Sequence, residues 1–204
     1  MLLILSCEKE TKRSSIFFEN ISSKESGVNF SNDLKDTENL NIVEYLYYYN
    51  GGGVAIGDIN NDGLDDLFFT ANLLQDRLYL NLGNMKFQDI TEKSGIILDN
   101  TWSTGVTMAD VNNDGYLDIH VSKLGNFKDF SSHNQLYINN GDSTFTESSS
   151  LYGLDFSGFS TQSTFFDYDR DGDLDMYLMN HSIHTIRNYG KADKRSESDP
   201  LAGD

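Results

Sequence analysis

Cysteine is almost missing from this chain. Cys7 is the single one in 204 residues, so no disulfide can form within the chain. Long apolar runs are missing too: nothing reaches the roughly 18 residues that a membrane-crossing helix requires. Basic residues are scarce, with 15 Lys and Arg against 32 Asp and Glu and a formal charge of −17. That excludes the basic stripe needed to neutralise nucleic-acid phosphates or to hold an anionic membrane surface. G-x-S-x-G, H-E-x-x-H and a clustered catalytic triad are absent. The run Gly51-Gly52-Gly53 is not followed by Lys-Ser/Thr, so it is no phosphate cradle. It is read instead as close backbone packing into a first strand. The chain does have 38% hydrophobic and 12% aromatic residues, enough for the core of one domain or a large piece of one.

The acidity is concentrated. The pattern D-x-[DN]-x-D-G-x-x-D occurs three times, from Asp58 to Asp66, from Asp110 to Asp118 and from Asp167 to Asp175. These copies hold twelve of the 32 acidic residues. Oxygen-bearing side chains stand at positions 1, 3, 5 and 9, and Gly at position 6. That spacing suits a hard cation such as Ca2+, which takes about 6–8 oxygen ligands from a tightly turned loop. The glycine permits the sharp turn, because it tolerates positive φ. The candidate ligands are Asp58, Asn60, Asp62, Asp66 and the Leu64 carbonyl in the first copy. In the second they are Asp110, Asn112, Asp114, Asp118 and the Tyr116 carbonyl. In the third they are Asp167, Asp169, Asp171, Asp175 and the Asp173 carbonyl. Up to three Ca2+ are expected, and they would offset six of the seventeen negative charges. A plain hairpin turn explains Asn-Asp-Gly once. It does not explain an acid at position 9 in three copies. The loops are not EF-hands, since position 12 is Phe69, Val121 or Leu178 rather than a bidentate Glu.

Each loop lies between short runs rich in β-branched and aromatic residues, which read as strands. The first repeat is expected to have strands over 53–57, 66–71, 77–82 and 86–91. The third of these is marked Leu78-Tyr79-x-Asn81-x-Gly83, and the second repeat has its match in Leu136-Tyr137-x-Asn139-x-Gly141 after an insertion over 123–134. The acidic loops start 52 and 57 residues apart. A period of that length with four strands per unit is that of a β-propeller blade. The expected fold is all-β: a partial β-propeller of four-stranded antiparallel blades, about two and a half in number. The divisions are 51–98 for blade 1, 99–156 for blade 2 and 157–204 for an incomplete blade 3. Residues 16–50 would hold N-terminal strands. The aromatic run from Tyr45 to Tyr49 reads as a strand burying one face, with a sugar-stacking platform as the other reading.

A module F-x-x-[I/S]-[S/T]…G-[V/I/L] occurs at Phe18, Phe87 and Phe145. The second and third instances close a repeat, and the first stands before any repeat begins. At the other end, Leu2 to Leu5 and Ser6 precede Cys7 as in the tail of a bacterial lipoprotein signal peptide. No Lys or Arg precedes this run, and it is shorter than the usual apolar region. Residues 1–15 are expected to be a lipoprotein signal remnant and tether, with lipid on Cys7. A frayed terminus carrying an ordinary thiol is the alternative.

The acidic loops between strands, with the trailing L-Y-x-N-x-G and F-x-x-I-[S/T] segments, resemble FG-GAP/VCBS repeats. These are the calcium-loop blades of integrin-α-type propellers. The nearest subgroup is the bacterial VCBS-repeat lipoproteins that often end in an ASPIC/UnbV domain. The resemblance covers about Phe18 to Asp175. It implies a closed ring of about seven blades, so a truncated product or a fragment of a longer chain is expected here. It also implies that Phe18 to Ile21 is a ring-closing outer strand, unpaired within the first blade. The function this implies is a calcium-binding scaffold in the cell envelope, outside the cytoplasm. It would meet a protein or glycan ligand and touch the membrane only through lipid at Cys7. The rival class is a piece of a carbohydrate-active enzyme such as a polysaccharide lyase. No catalytic residue can be picked out: His120, His133, His181 and His184 read as surface or strand-end histidines.

Overall fold

The computed structural model describes residues 18–182. Ten strands form three antiparallel sheets. The first contains β1 (Val54–Gly57), β2 (Asp66–Phe69), β3 (Arg77–Asn81) and β4 (Phe87–Asp89), in that spatial order. The second contains β5 (Ser103–Ala109), β6 (Asp118–Lys123), β7 (Gln135–Asn139) and β8 (Phe145–Glu147), again in sequence order. The third is the hairpin β9 (Ser160–Phe166) and β10 (Asp175–Asn180). Four-stranded meanders of this kind are the blades that the period of the sequence implied.

The inner strands β1, β5 and β9 lie beside one another. Glycine makes this approach possible. A Cβ on Gly105 would stand 2.3 Å from the Thr161 carbonyl oxygen, and one on Gly53 would stand 3.0 Å from that of Thr104. Hydroxyls bridge the blades at the same level. Thr70 Oγ1 donates to the Thr104 carbonyl (2.6 Å), and Thr104 Oγ1 donates to that of Ser160 (2.8 Å). The main core fills the space between the first two sheets, with Phe68, Leu78, Ile119, Val121 and Tyr137 fully enclosed. Side chains of this kind each stabilise by about 1.5–3 kcal/mol on burial.

The F-x-x-I module acquires a physical meaning. After β4 comes a 3-10 turn, Thr91–Lys93, closed by Gly95 at φ 80°. After β8 comes the short helix α2 (Ser149–Tyr152), closed by Gly153. The first instance forms the helix α1 (Ser23–Ser26), capped by Ser22 and closed by Gly27. A Cβ on Gly27 would meet the Phe87 carbonyl oxygen at 2.3 Å, as one on Gly95 would meet that of Phe145 at 2.3 Å. The module at residues 18–28 thus sits against the first sheet as the module of the first sheet sits against the second.

Two expectations for residues 16–50 are corrected. Among the described residues, 18–50 contain no strand. Residues 41–50 form hydrogen-bonded turns, with Tyr45 N–H donating to the Asn41 carbonyl (2.9 Å) and Tyr48 N–H to that of Tyr45 (3.0 Å). The reason is tertiary. The turns bring Tyr45 and Tyr48 onto Trp102, Leu124 and Phe127 in a second apolar cluster. A strand's alternation would have sent these two tyrosines, an odd number of residues apart, to opposite faces. The insertion over 123–134 begins inside the core. Lys123 ends β6 and is 1% exposed, and Leu124 and Phe127 belong to that same cluster.

Candidate metal centre

Each acidic loop joins the first two strands of its sheet. The residue before position 1 pairs with the acid at position 9: Gly57 with Asp66, Ala109 with Asp118, Phe166 with Asp175. The strand ladder therefore clamps the loop at its base. Within the loop, φ is positive at Gly63, Gly115 and Gly172, and also at position 4: Asn61, Asn113 and Arg170. Asn tolerates that region better than most side chains, and Arg has no such advantage.

In the first two loops the side-chain oxygens turn inward onto backbone amides. Asp58 Oδ1 accepts from Asp62 N–H (3.1 Å) and Asp58 Oδ2 from Gly63 N–H (2.7 Å). Asn60 Oδ1 accepts from Asp62 N–H (3.1 Å), and Asp62 Oδ1 from Leu64 N–H (2.9 Å). Asp110, Asn112, Asp114 and Tyr116 repeat this arrangement with closely similar distances.

Position 9 behaves differently. Asp66 is fully buried, and Asp118 is 1% exposed. Asp66 Oδ2 accepts from Ile59 N–H (3.0 Å) and Asp66 Oδ1 from Asn81 N–H (2.7 Å). Asp118 accepts from Val111 N–H (2.9 Å) and Asn139 N–H (2.8 Å) in the same way. The asparagine of L-Y-x-N-x-G answers in kind. Asn139 Nδ2 donates to the Leu117 carbonyl (3.0 Å) and, across the interface, to that of Ile59 (2.8 Å). Asn81 Nδ2 donates to the Asp65 carbonyl (2.7 Å). Burial pushes the carboxyls of Asp66 and Asp118 above their ordinary range, against the pull of these amides. Reading the motif as ligands alone missed this clasp. Its signal in the sequence was the presence of both the position-9 acid and an L-Y-x-N segment in each complete repeat.

In the third loop the acids converge. One oxygen from each of Asp167, Asp169 and Asp175 lies within 4.8 Å of the others. Asp175 Oδ2 accepts from Tyr168 N–H (2.8 Å), but the described residues place no third strand beside β10 to engage it further. Asp171 is held low by the Asp173 amide, and Asp173 is raised by the hydrogen bond its side chain shares with Asp171. Two neighbouring carboxyls thus compete for one proton. A hard dication fits this donor set: every side-chain donor is oxygen, and these oxygens stand no further apart than two ligands on opposite sides of a Ca2+ at about 2.3–2.6 Å each.

The histidines need one correction. His120 lies within β6 and is 1% exposed, with Nδ1 2.8 Å from Ser163 Oγ. Burial lowers its pKa to about 4. His181 hydrogen-bonds Tyr45, with 2.7 Å between Nε2 and the phenol oxygen. His184 and Cys7 lie outside the described residues.

A buried charge network between the first two sheets was also invisible in the sequence. Lys123 Nζ contacts Asp99 Oδ1 (3.1 Å) and donates to Thr101 Oγ1 (2.7 Å). Burial pushes Asp99 up, but the charge of Lys123 and the hydrogen bonds of Thr101 and Lys123 outweigh it and leave the carboxyl low. Asp76, 5% exposed, accepts from Ala71 N–H (2.8 Å) and Ser103 Oγ (2.9 Å). Burial pushes its pKa up to about 6. Below pH 4 the carboxyl is protonated folded or unfolded. As pH rises towards 6, the unfolded chain releases that proton first, so stability falls through this window by about 3 kcal/mol. Asp76→Asn removes the effect. In urea titrations, its stability relative to the wild type should improve by about that amount between pH 4 and pH 7.5.

Comparison with known proteins agrees with this geometry. The FG-GAP-like repeat family matches residues 58–121 and 125–178. The first match starts at the first acidic loop and ends in β6, so the sequence repeat runs from loop to loop and straddles two sheets. Integrin alpha-8 of Gallus gallus is 32% identical over 105 residues, 45% of this chain and 10% of that protein. Integrin alpha-8 of Mus musculus is 32% identical over 92 residues, 38% of this chain and 9% of that protein. The chain thus spans about a tenth of the length of these relatives. The described residues contain no helix long and apolar enough to cross a membrane. With both repeats matched and their loops, clasps and meanders in place, the chain belongs to the FG-GAP-like repeat family of integrin-α-type β-propellers.

Proposed function

We propose that this chain is a calcium-stabilised binding module of the cell envelope, with lipid at Cys7 as its anchor and a protein or glycan as its partner. The observation that carries the calcium reading is the convergence of Asp167, Asp169 and Asp175. Asp58, Asn60, Asp62 and Asp66, with the Leu64 carbonyl, would hold a second ion. Asp110, Asn112, Asp114 and Asp118, with the Tyr116 carbonyl, would hold a third. Asp171 and the Asp173 carbonyl complete the set in the last loop. The ion supplies charge neutralisation and cross-linking, and no reaction is required of it. The family match and the integrin-α relatives favour a binding module over an enzyme.

The unfolded chain lacks preformed loops, so Ca2+ stabilises the fold by RT ln(1 + [L]/Kd), about 2.7 kcal/mol per site at hundredfold excess. Extracellular modules work near 10⁻⁴–10⁻³ M. The melting temperature in millimolar Ca2+ should therefore exceed that in chelator by several degrees. The third loop, with four side-chain acids where the others have three, should titrate first by calorimetry. Identical melting with and without calcium would remove the reading.

A further inference from the structure

We propose that the cleft at the starts of β1, β5 and β9 binds the uncharged terminal residue of a saccharide. This rests on the binding-module reading and gives it a place and a ligand class. The cleft lies at the opposite end of the inner strands from the acidic loops, which follow the ends of those same strands. Its volume is about 350 Å³, within the range of small-molecule sites.

The lining is unlike the rest of the molecule. Its described residues include no Asp, Glu, Lys or Arg, in a chain of which 23% is charged. Burial lowers the pKa of His181, the imidazole among the described lining residues, and so disfavours its charged form. Tyr47 and His181 form one wall, their rings 4.2 Å apart and tilted by 39°. The Tyr45 hydroxyl, 2.7 Å from His181 Nε2, fixes that imidazole. Trp102 backs the site, and the backbone of Gly52 borders it without a side chain. Asn50 and Gln162 supply exposed neutral amides at the edge.

Each rival chemistry lacks a counterpart. Among the described lining residues a metal ion would find no carboxylate, and an anion no cation. A purely apolar ligand would bury the Asn50 amide and leave the Gln162 amide only its bond to the Val106 carbonyl (3.3 Å), which costs free energy. A pyranose offers what the cleft asks for. Its C–H face lies against an aromatic ring, and its hydroxyls donate to and accept from amides.

Trp102 is the only tryptophan, so its fluorescence reports the cleft. The test titrates the calcium-loaded full chain with neutral oligosaccharides of glucose, galactose, mannose and N-acetylglucosamine. The expected result is a saturable change for at least one sugar, with a dissociation constant on the order of 1 mM. Tyr47→Ala should weaken it about tenfold, while Tyr47→Phe, which keeps the ring, should bind as the wild type does. Gln162→Ala, at an exposed position, should also weaken binding and guards against a folding defect in the tyrosine variant. No saturable change with any of these sugars overturns the proposal. So does a glucuronate-ended sugar binding as tightly as its neutral counterpart, or unaltered affinity in Tyr47→Ala. A flat sugar titration beside calcium-dependent melting removes this inference alone. Sugar binding beside calcium-independent melting removes the calcium reading and leaves this one standing.

Discussion

Asp118→Ala should destabilise the protein by about 3–6 kcal/mol, because it removes two hydrogen bonds between a buried carboxylate and backbone amides, each worth about 1.5–3 kcal/mol. The amides of Val111 and Asn139 would be left without their acceptor. In a chain of this size the melting temperature should fall by about 10–20 °C. Asp66→Ala should behave alike, since Ile59 and Asn81 depend on it in the same way. The measurement is most informative in chelator. A side chain that served only as a metal ligand would cost nothing once calcium is gone, whereas a backbone clasp costs the same. Asp175→Ala provides the contrast. It is exposed and caps Tyr168 alone among the described residues. Its loss in chelator should be far smaller, and its loss in calcium correspondingly larger.

Lys123→Met should cost about 3–5 kcal/mol, the usual result of deleting one partner of a buried ion pair. Methionine keeps most of the apolar stem, so the loss isolates the charge. Two acids are affected. Asp99 loses a direct partner at 3.1 Å. Asp76 loses the positive charge that holds its pKa down against burial. Adding Asp76→Asn should therefore recover part of the loss, and the two changes should not add. Additive urea midpoints would show that the two groups act separately.

The sequence announced some parts of this molecule far better than others. Runs rich in β-branched and aromatic residues on either side of D-x-[DN]-x-D-G-x-x-D announced a strand before and after each loop, and placed β1 and β2 within two residues, because loop and ladder obey local rules. L-Y-x-N-x-G placed β3 and β7 for the same reason. The aromatic segment at 41–50 was misread because its tyrosines have strand propensity, while their burial against Trp102 and Phe127 is a long-range matter. Lys123 opens the stretch 123–134, which the sequence sets off only as an insertion in the second repeat. Only the position of Asp99 and Thr101 in the fold explains its burial. His120 was misplaced likewise: nothing near it in the chain announces Ser163. At position 9 the acid was legible, but not its attachment to the amide of the third strand.

The clasp has a dynamic consequence. Where Asp66 and Asp118 tie the first hairpin to the third strand, the amides of Ile59 with Asn81, and of Val111 with Asn139, can reach solvent only when the whole blade opens. Their hydrogen exchange should be slow and should quicken together as denaturant is added. Among the described residues Tyr168 has no such tether through Asp175, so its amide should exchange earlier and alone. The order in which the wedges loosen is thereby written into which aspartates have an asparagine to hold.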